Sequence, residues 1–349
     1  MWRWIVAPRF DWLQIEVSAS CNAACHYCPV GRCRATRSNR FIDEATFSKL
    51  EQSFSSADLV FLQGWGEPPL HPNFWSMVRR VKATGTRVGF ATNGVLLGGE
   101  HLRYLLDSKV DVVAVSLAGT CEATHERFRK GCDFKKIDSA LRTLKRHKRD
   151  LRQTHLAVHI AFILLRSNWQ ELDELPRIAS EWGVSQVVVS NLSLVLDEQL
   201  QRESLLLDSV LWLEARSRLD AAREEAARCG VSLHYYEPDL SRWQPICPEN
   251  VLRSCFISYR GDVAPCVMTN FGNGPEPNLT YRFGDHAYPP SQVIFGNVNH
   301  ASLPDIWRSE AAKTFRNGFQ HRLQTSDPGL RNLPEPCSRC YKLFERCST

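Results

Sequence analysis

Six short runs, each but the last followed by a segment of helix length, constrain this chain more than any other feature. They are Gln14–Ser18, which alternates, and the nearly continuous apolar runs Leu59–Gln63, Arg87–Ala91, Val112–Leu117, His155–Leu165 and Gln186–Asn191. Such runs read as strands of a parallel sheet whose faces are covered by the helices between them. Those helices are expected from the capping residue Asp43 to about Phe54, burying Phe47 and Leu50, and from Pro72 to Ala83. Others are expected over Glu100–Asp107, Ala123–Phe128 and Lys136–Arg149, and from Ser167 or Asn168 to Trp182-Gly183. The pattern is α/β, and periodicity alone fits a curving barrel and an open doubly wound sheet equally well.

A length of 349 residues with 43% hydrophobic content supports one large core and a smaller second one. The expected division is 1–200 for the sheet and its helices, 201–235 for a linker and 236–349 for a cysteine-rich unit. Within the linker, Glu203 to Arg228 reads as an amphipathic connector packed on the first domain. The opening MWRWIVAPRF lacks the apolar run of a signal peptide, and no stretch approaches about 18 uninterrupted apolar residues, so a cytoplasmic chain without a membrane partner is expected. Thirteen cysteines, an odd number, favour metal ligation over disulfides in a reducing compartment. The net charge of +5 is mild, and the basic cluster Arg146-His147-Lys148-Arg149 reads as a solvated helix face. No aromatic-rich basic motif points to nucleic acid.

The loop after the first run reads Cys21-Asn22-Ala23-Ala24-Cys25-His26-Tyr27-Cys28, a CxxxCxYC spacing. Three thiolates on one short loop can hold three corners of a cubane iron–sulfur cluster and leave the fourth iron open to a small molecule. Zinc usually wants CxxC pairs and four ligands, and disulfide frameworks belong to small secreted chains. The loop, Tyr27 included, resembles that of the radical S-adenosylmethionine (radical SAM) enzymes. The resemblance implies a partial (β/α)6 TIM-type barrel with its chemistry at the C-terminal ends of the strands. It also implies a [4Fe-4S] cluster on Cys21, Cys25 and Cys28, with S-adenosylmethionine on the open iron. Gly64-Trp65-Gly66-Glu67-Pro68 is similar to the family's GGEP motif, which receives the methionine ammonium, with Trp65 in place of the first glycine. By the same resemblance, Gly64, Gly66, Glu67, Ser116, Arg129 and Tyr27 are the cofactor-binding candidates. Ser116 would reach the ribose, since Ala118 stands where an aspartate is frequent, and Arg129 would grip the methionine carboxylate. Asn93 and Asn191 are weaker candidates, expected to stabilise loops.

Six cysteines lie beyond Tyr236. Ile257 to Cys266 reads as a hairpin turning at Arg260-Gly261 and delivering a thiol at its end, and Cys337-Ser338-Arg339-Cys340 and Cys347 close the chain. The region resembles the SPASM/twitch extension, which carries one or two auxiliary [4Fe-4S] clusters. The resemblance implies one cluster on Cys247, Cys266, Cys337 and Cys340, with Cys255 a rival to Cys247. A second, incompletely ligated cluster on Cys255 and Cys347 is an alternative, and a zinc ribbon is another. Cys33, Cys121, Cys132 and Cys229 lack grouping and read as ordinary thiols.

Together these features imply reductive cleavage of S-adenosylmethionine to a 5′-deoxyadenosyl radical, hydrogen abstraction from a substrate C–H bond, and oxidation or coupling of the product radical. A donor such as flavodoxin or ferredoxin would supply the electron. The preferred substrate is a peptide or protein, although only a short stretch precedes the first strand, where peptide-modifying relatives often place a recognition domain. Val267 stands where sulfatase maturases carry an acidic residue. A dehydrogenase of an aminocyclitol or sugar alcohol is the enzymatic alternative, and a non-catalytic iron–sulfur electron carrier lies outside catalysis. The sequence nominates no catalytic acid or base.

Overall fold

The computed structural model describes residues 8–32, 40–152, 154–271, 279–325, 329 and 332–347. Cys33 lies outside them. Strand β1 (Phe10–Ile15) leads into the cysteine loop, which holds the two-residue β2 (Ala24–Cys25) and the single turn α1 (Pro29–Arg32). Strands and helices then alternate: α2 (Glu44–Phe54), β3 (Ala57–Leu62), α3 (Phe74–Ala83), β4 (Arg87–Thr92), α4 (Gly99–Asp107), β5 (Val112–Leu117) and α5 (Glu122–Phe128). The two-residue β6 (Arg129–Lys130), α6 (Phe134–Asp150), β7 (Ala157–Leu164), α7 (Leu175–Trp182) and β8 (Gln186–Asn191) follow. Asp43 caps α2 by accepting from the Thr46 N–H at 2.7 Å, and Asp133 caps α6 by accepting from the Lys136 N–H at 3.0 Å. The segment from Asn168 begins not as α-helix but as a 3-10 turn, Trp169–Glu174, that feeds α7.

The second half comprises α8 (Glu198–Glu203), α9 (Ser209–Arg228), β9 (Ser232–Pro238), β10 (Ser254–Ile257), β11 (Asp262–Ala264), the hairpin β12 (Tyr281–Phe283) and β13 (His286–Tyr288), β14 (Gly296–Asn297), α10 (Leu303–Trp307), α11 (Glu310–Leu323) and β15 (Glu345–Cys347). The main sheet has eleven strands in the order β14-β11-β10-β1-β3-β4-β5-β7-β8-β9-β15. Every pairing from β10 across to β9 is parallel, and β11, β14 and β15 extend the two ends antiparallel. The sheet ends at β14 and β15 rather than pairing with itself, so the α/β barrel is partial.

Strands β9, β14 and β15 of this sheet are absent from the sequence reading, and β10 and β11 are expected there only as a separate hairpin. Helix α9 packs on α7 and delivers β9 alongside β8, with Val187 opposite Leu233, so the expected connector is a further βα repeat. Strand β10, from the cysteine-rich region, inserts beside β1 with Leu13 opposite Cys255. The core is continuous through this junction: Phe10, Leu13 and Ile15 share it with Ile257, Val263 and Phe319.

Candidate functional site

Because the strands run parallel, the loops after β1, β3, β4 and β5 emerge at one edge of the sheet. There they enclose a cavity of about 200 Å³. Cys21, Cys25 and Cys28 line it from the first loop, with Tyr27 between them. Gly64, Gly66 and Glu67 line it after β3, Ser116 from the end of β5, and Arg129 from β6. All nine residues singled out for the first site therefore meet at one cavity.

The local structure explains several of these positions. A Cβ on Gly66 would stand 2.4 Å from the Ser18 carbonyl oxygen and 2.5 Å from that of Ser20, so the residue is glycine because two backbone segments touch there. The Glu67 N–H donates to the Ser20 carbonyl at 2.8 Å, fixing the loop against the segment that leads to Cys21. One Glu67 carboxylate oxygen accepts from the Thr92 hydroxyl and the other from the Asn93 N–H at 2.8 Å. Burial raises the Glu67 carboxyl from its ordinary 4.5 to about 7. The Asn93 amide donates to the Asn22 side chain at 2.7 Å and so ties the cysteine loop to the end of β4. Asn191 sits elsewhere, donating to the Tyr236 carbonyl at 2.9 Å and to Glu345 at 3.2 Å.

Arg129 is buried, and its partner across the two-residue ladder with β2 is Cys25. One guanidinium nitrogen donates to the Tyr27 hydroxyl at 2.5 Å, whereas its Nε has no partner among the described residues. A buried N–H left unpaired at the wall of a cavity is a ready donor for a ligand carboxylate. Burial pushes the thiols of Cys21 and Cys28 up to about 11 and about 12. A metal bound there would have to displace those protons.

Glu16, missed by the sequence reading, sits beneath this wall. It is 1% exposed, and burial raises its carboxyl to about 7. It accepts from the Trp65 N–H at 2.9 Å and from the Tyr259 N–H at 3.4 Å, bracing the loop after β3 against the turn between β10 and β11. Trp65 reaches the same way. Its indole N–H donates to the Asn270 carbonyl at 2.8 Å, and its ring stacks on Phe271 at 5.3 Å and 15°.

Phe271 lines a second cavity, into which Cys247, Cys266, Cys337 and Cys340 all project. Cys266 follows the end of β11, Cys337 lies within the 3-10 turn Glu335–Arg339 and Cys340 caps its end. Burial raises all four thiols, Cys266 to about 12 and Cys340 to about 11. Cys255 and Cys347, named as a rival ligand and as ligands of an alternative second cluster, do not line this cavity. Cys255 is held inside β10 opposite Leu13, 2% exposed, and Cys347 is exposed on the edge strand β15 opposite Tyr236. Val267 lines the first cavity and its neighbour Cys266 the second.

Among the described residues no three Cys, His, Asp or Glu side chains converge as the ligands of one zinc ion do. Within each set, every thiolate could take a different iron of a cluster.

Residues 15–177 match the profile of the Radical SAM superfamily, and residues 247–341 match SPASM, an iron-sulfur cluster-binding domain. The chain is a radical SAM protein with a C-terminal SPASM domain. These domains imply [4Fe-4S] clusters in this protein. It is 26% identical over 320 residues to the tungsten-containing aldehyde ferredoxin oxidoreductase cofactor-modifying protein of Pyrococcus furiosus, covering 87% of this chain and 83% of that one. It is 28% identical over 178 residues to the mycofactocin maturase of Mycobacterium tuberculosis, covering 49% of this chain and 42% of the relative. The fold is that of native anSMEcpe with bound AdoMet and Cp18Cys peptide, at a TM-score of 0.65, 14% identity and coverage of 96% and 94%. No helix among the described residues of this radical SAM protein is long and apolar enough to cross a membrane.

Proposed function

We propose that this protein is a radical SAM enzyme that modifies a peptide or protein at a C–H bond. The reading is carried by the convergence of Cys21, Cys25, Cys28, Gly66, Glu67, Ser116 and Arg129 on one cavity. Cys21, Cys25 and Cys28 would hold the first cluster, and Cys247, Cys266, Cys337 and Cys340 an auxiliary one. With S-adenosylmethionine bound and the cluster reduced, the chemistry supplied is hydrogen abstraction by a 5′-deoxyadenosyl radical. Arg129, oriented by Tyr27, offers its unpaired Nε to the methionine carboxylate. Glu67, held by Thr92 and Asn93, turns its remaining lone pairs to the ammonium, and Ser116 offers its hydroxyl to the ribose. The buried walls exclude water from the reacting atoms.

The peptide or protein substrate is supported by likeness to a maturase and to a fold seen with a peptide bound. The cofactor-modifying name of the Pyrococcus relative, which matches most of the chain, favours a second reading, a small molecule. An electron donor such as flavodoxin or ferredoxin is part of either reading.

Anaerobic protein loaded with iron and sulfide, given S-adenosylmethionine and dithionite, is expected to release 5′-deoxyadenosine. Joint replacement of Cys21, Cys25 and Cys28 by alanine should abolish the release while about four irons remain on the auxiliary site. Persistent release from that variant would refute the assignment. A wild-type protein with both clusters and no release would leave the electron-carrier reading. Deuterium transfer into 5′-deoxyadenosine from labelled candidate peptides, but not from labelled small metabolites, would separate the two substrate readings.

A further inference from the structure

The cavity shared by Cys247, Cys266, Cys337 and Cys340 is also lined by two side chains of opposite charge, Glu249 and Lys342. Each stands two residues beyond a thiol of that cavity, in Cys247-Pro248-Glu249 and Cys340-Tyr341-Lys342. Both segments turn in the same way: the Cys247 carbonyl accepts from the Asn250 N–H at 3.1 Å, and the Cys340 carbonyl from the Leu343 N–H at 3.2 Å. The turns, far apart along the chain, meet where Lys342 Nζ donates to Glu249 Oε1 at 2.5 Å. The two side chains are only 18% and 24% exposed, so the pair is largely withdrawn from water and its field is weakly screened by salt. Arg339, the other charged residue lining the cavity, pairs with Glu335 at 2.8 Å.

We propose that Glu249 and Lys342 are positioning residues of the auxiliary site, a charge pair that clasps the Cys247 and Cys340 turns together and sets the reduction potential of the cluster held between them, Lys342 raising it and Glu249 lowering it. The inference rests on the proposed ligation by the four cysteines. Reduction adds one negative charge to a cluster, so a cation in the cavity wall stabilises the reduced form and a carboxylate opposes it. In the intact pair the two effects largely offset each other. Neutralising one partner removes its own effect and leaves the other's charge uncompensated, so the two single substitutions act in opposite directions. Loss of packing or of a hydrogen bond alone carries no such sign.

The test uses the full chain with Cys21, Cys25 and Cys28 replaced by alanine, so that one cluster alone is titrated, and compares this parent with the same chain carrying Lys342→Met, Glu249→Gln or both. Each protein is loaded anaerobically with iron and sulfide, and the midpoint potential of the auxiliary cluster is read by electron paramagnetic resonance. Lys342→Met should make reduction about tenfold harder and Glu249→Gln about tenfold easier, shifts of about 59 mV down and up for a one-electron couple. The double variant should stay within about threefold of the parent. Single-variant shifts of the same sign, a single variant within about threefold of the parent, or a double variant displaced beyond that would overturn the inference. If a single variant does not load, the double variant decides: loading with a near-parental potential supports the charge pair, because an uncompensated charge then caused the failure, and failure to load overturns it in favour of packing. The auxiliary-cluster reading fails separately, when the parent itself holds no reducible cluster.

Discussion

At the scale of single residues, the first site is built from buried groups whose partners are backbone atoms as often as side chains. Arg129 has one guanidinium nitrogen committed to Tyr27 and its Nε left open. Arg129→Met should weaken S-adenosylmethionine binding by roughly 10- to 100-fold, from a charge-assisted contact of about 1.5–3 kcal/mol. The measurement is a ligand titration of the reduced cluster's paramagnetic signal. Glu16 offers a prediction that needs no cofactor. Its carboxyl titrates near 7 in the fold and near 4.5 when exposed, so the folded state binds the extra proton between those values. Its contribution to stability is therefore fully present below 4.5 and is lost as pH rises through 7, with a slope of at most about 1.4 kcal/mol per pH unit. Glu67 adds to the same window. Glu16→Gln should flatten the decline of the apoprotein's stability between pH 4.5 and 7 without abolishing it, as read from denaturant midpoints across that range.

At the scale of elements, the loop after β3 decides how the two halves meet. Trp65 departs from the glycine of the motif it resembles because the side chain has a task there. It donates to Asn270, stacks on Phe271 and leaves its own carbonyl 3.8 Å from the Cys28 sulfur. Trp65→Phe keeps a stacking ring and loses one hydrogen bond, and should cost about 1 kcal/mol in chemical denaturation. Trp65→Ala loses both and should cost about 2–3 kcal/mol, with the S-adenosylmethionine response weakened as well. Equal, near-zero costs for the two variants would show that the stack contributes nothing.

At the scale of the whole molecule, β1 lies between β3 and β10, so the sheet borrows a strand from the cysteine-rich region. A chain ending at residue 240 would expose the edge of β1 from Trp12 to Ile15. It should aggregate or melt well below the full chain, because an uncovered apolar strand edge templates pairing with other chains. Size-exclusion chromatography and thermal unfolding check this, and a monomeric fragment with an unchanged midpoint would contradict it. The same arrangement shows what the residues revealed beforehand. The six strands and their helices were legible because Val112–Leu117 and Gln186–Asn191 are long apolar runs, and the first-site residues because they sit in local motifs. Strand β10 was not, since four residues, Ser254 to Ile257, carry no period. Strand β9 alternates over Ser232-Leu233-His234-Tyr235, the period of a half-buried strand, but this falls inside the span read as a linker. Glu16 owes its importance to partners, Trp65 and Tyr259, brought near only by tertiary pairing, a relation that no spacing along the chain encodes.

Cys266 and Val267 belong to different chambers yet share one peptide bond. A backbone shift at the sulfur-bearing residue passes to the isopropyl-bearing one across a single planar amide. The two chambers are thus joined by a covalent path one amide long.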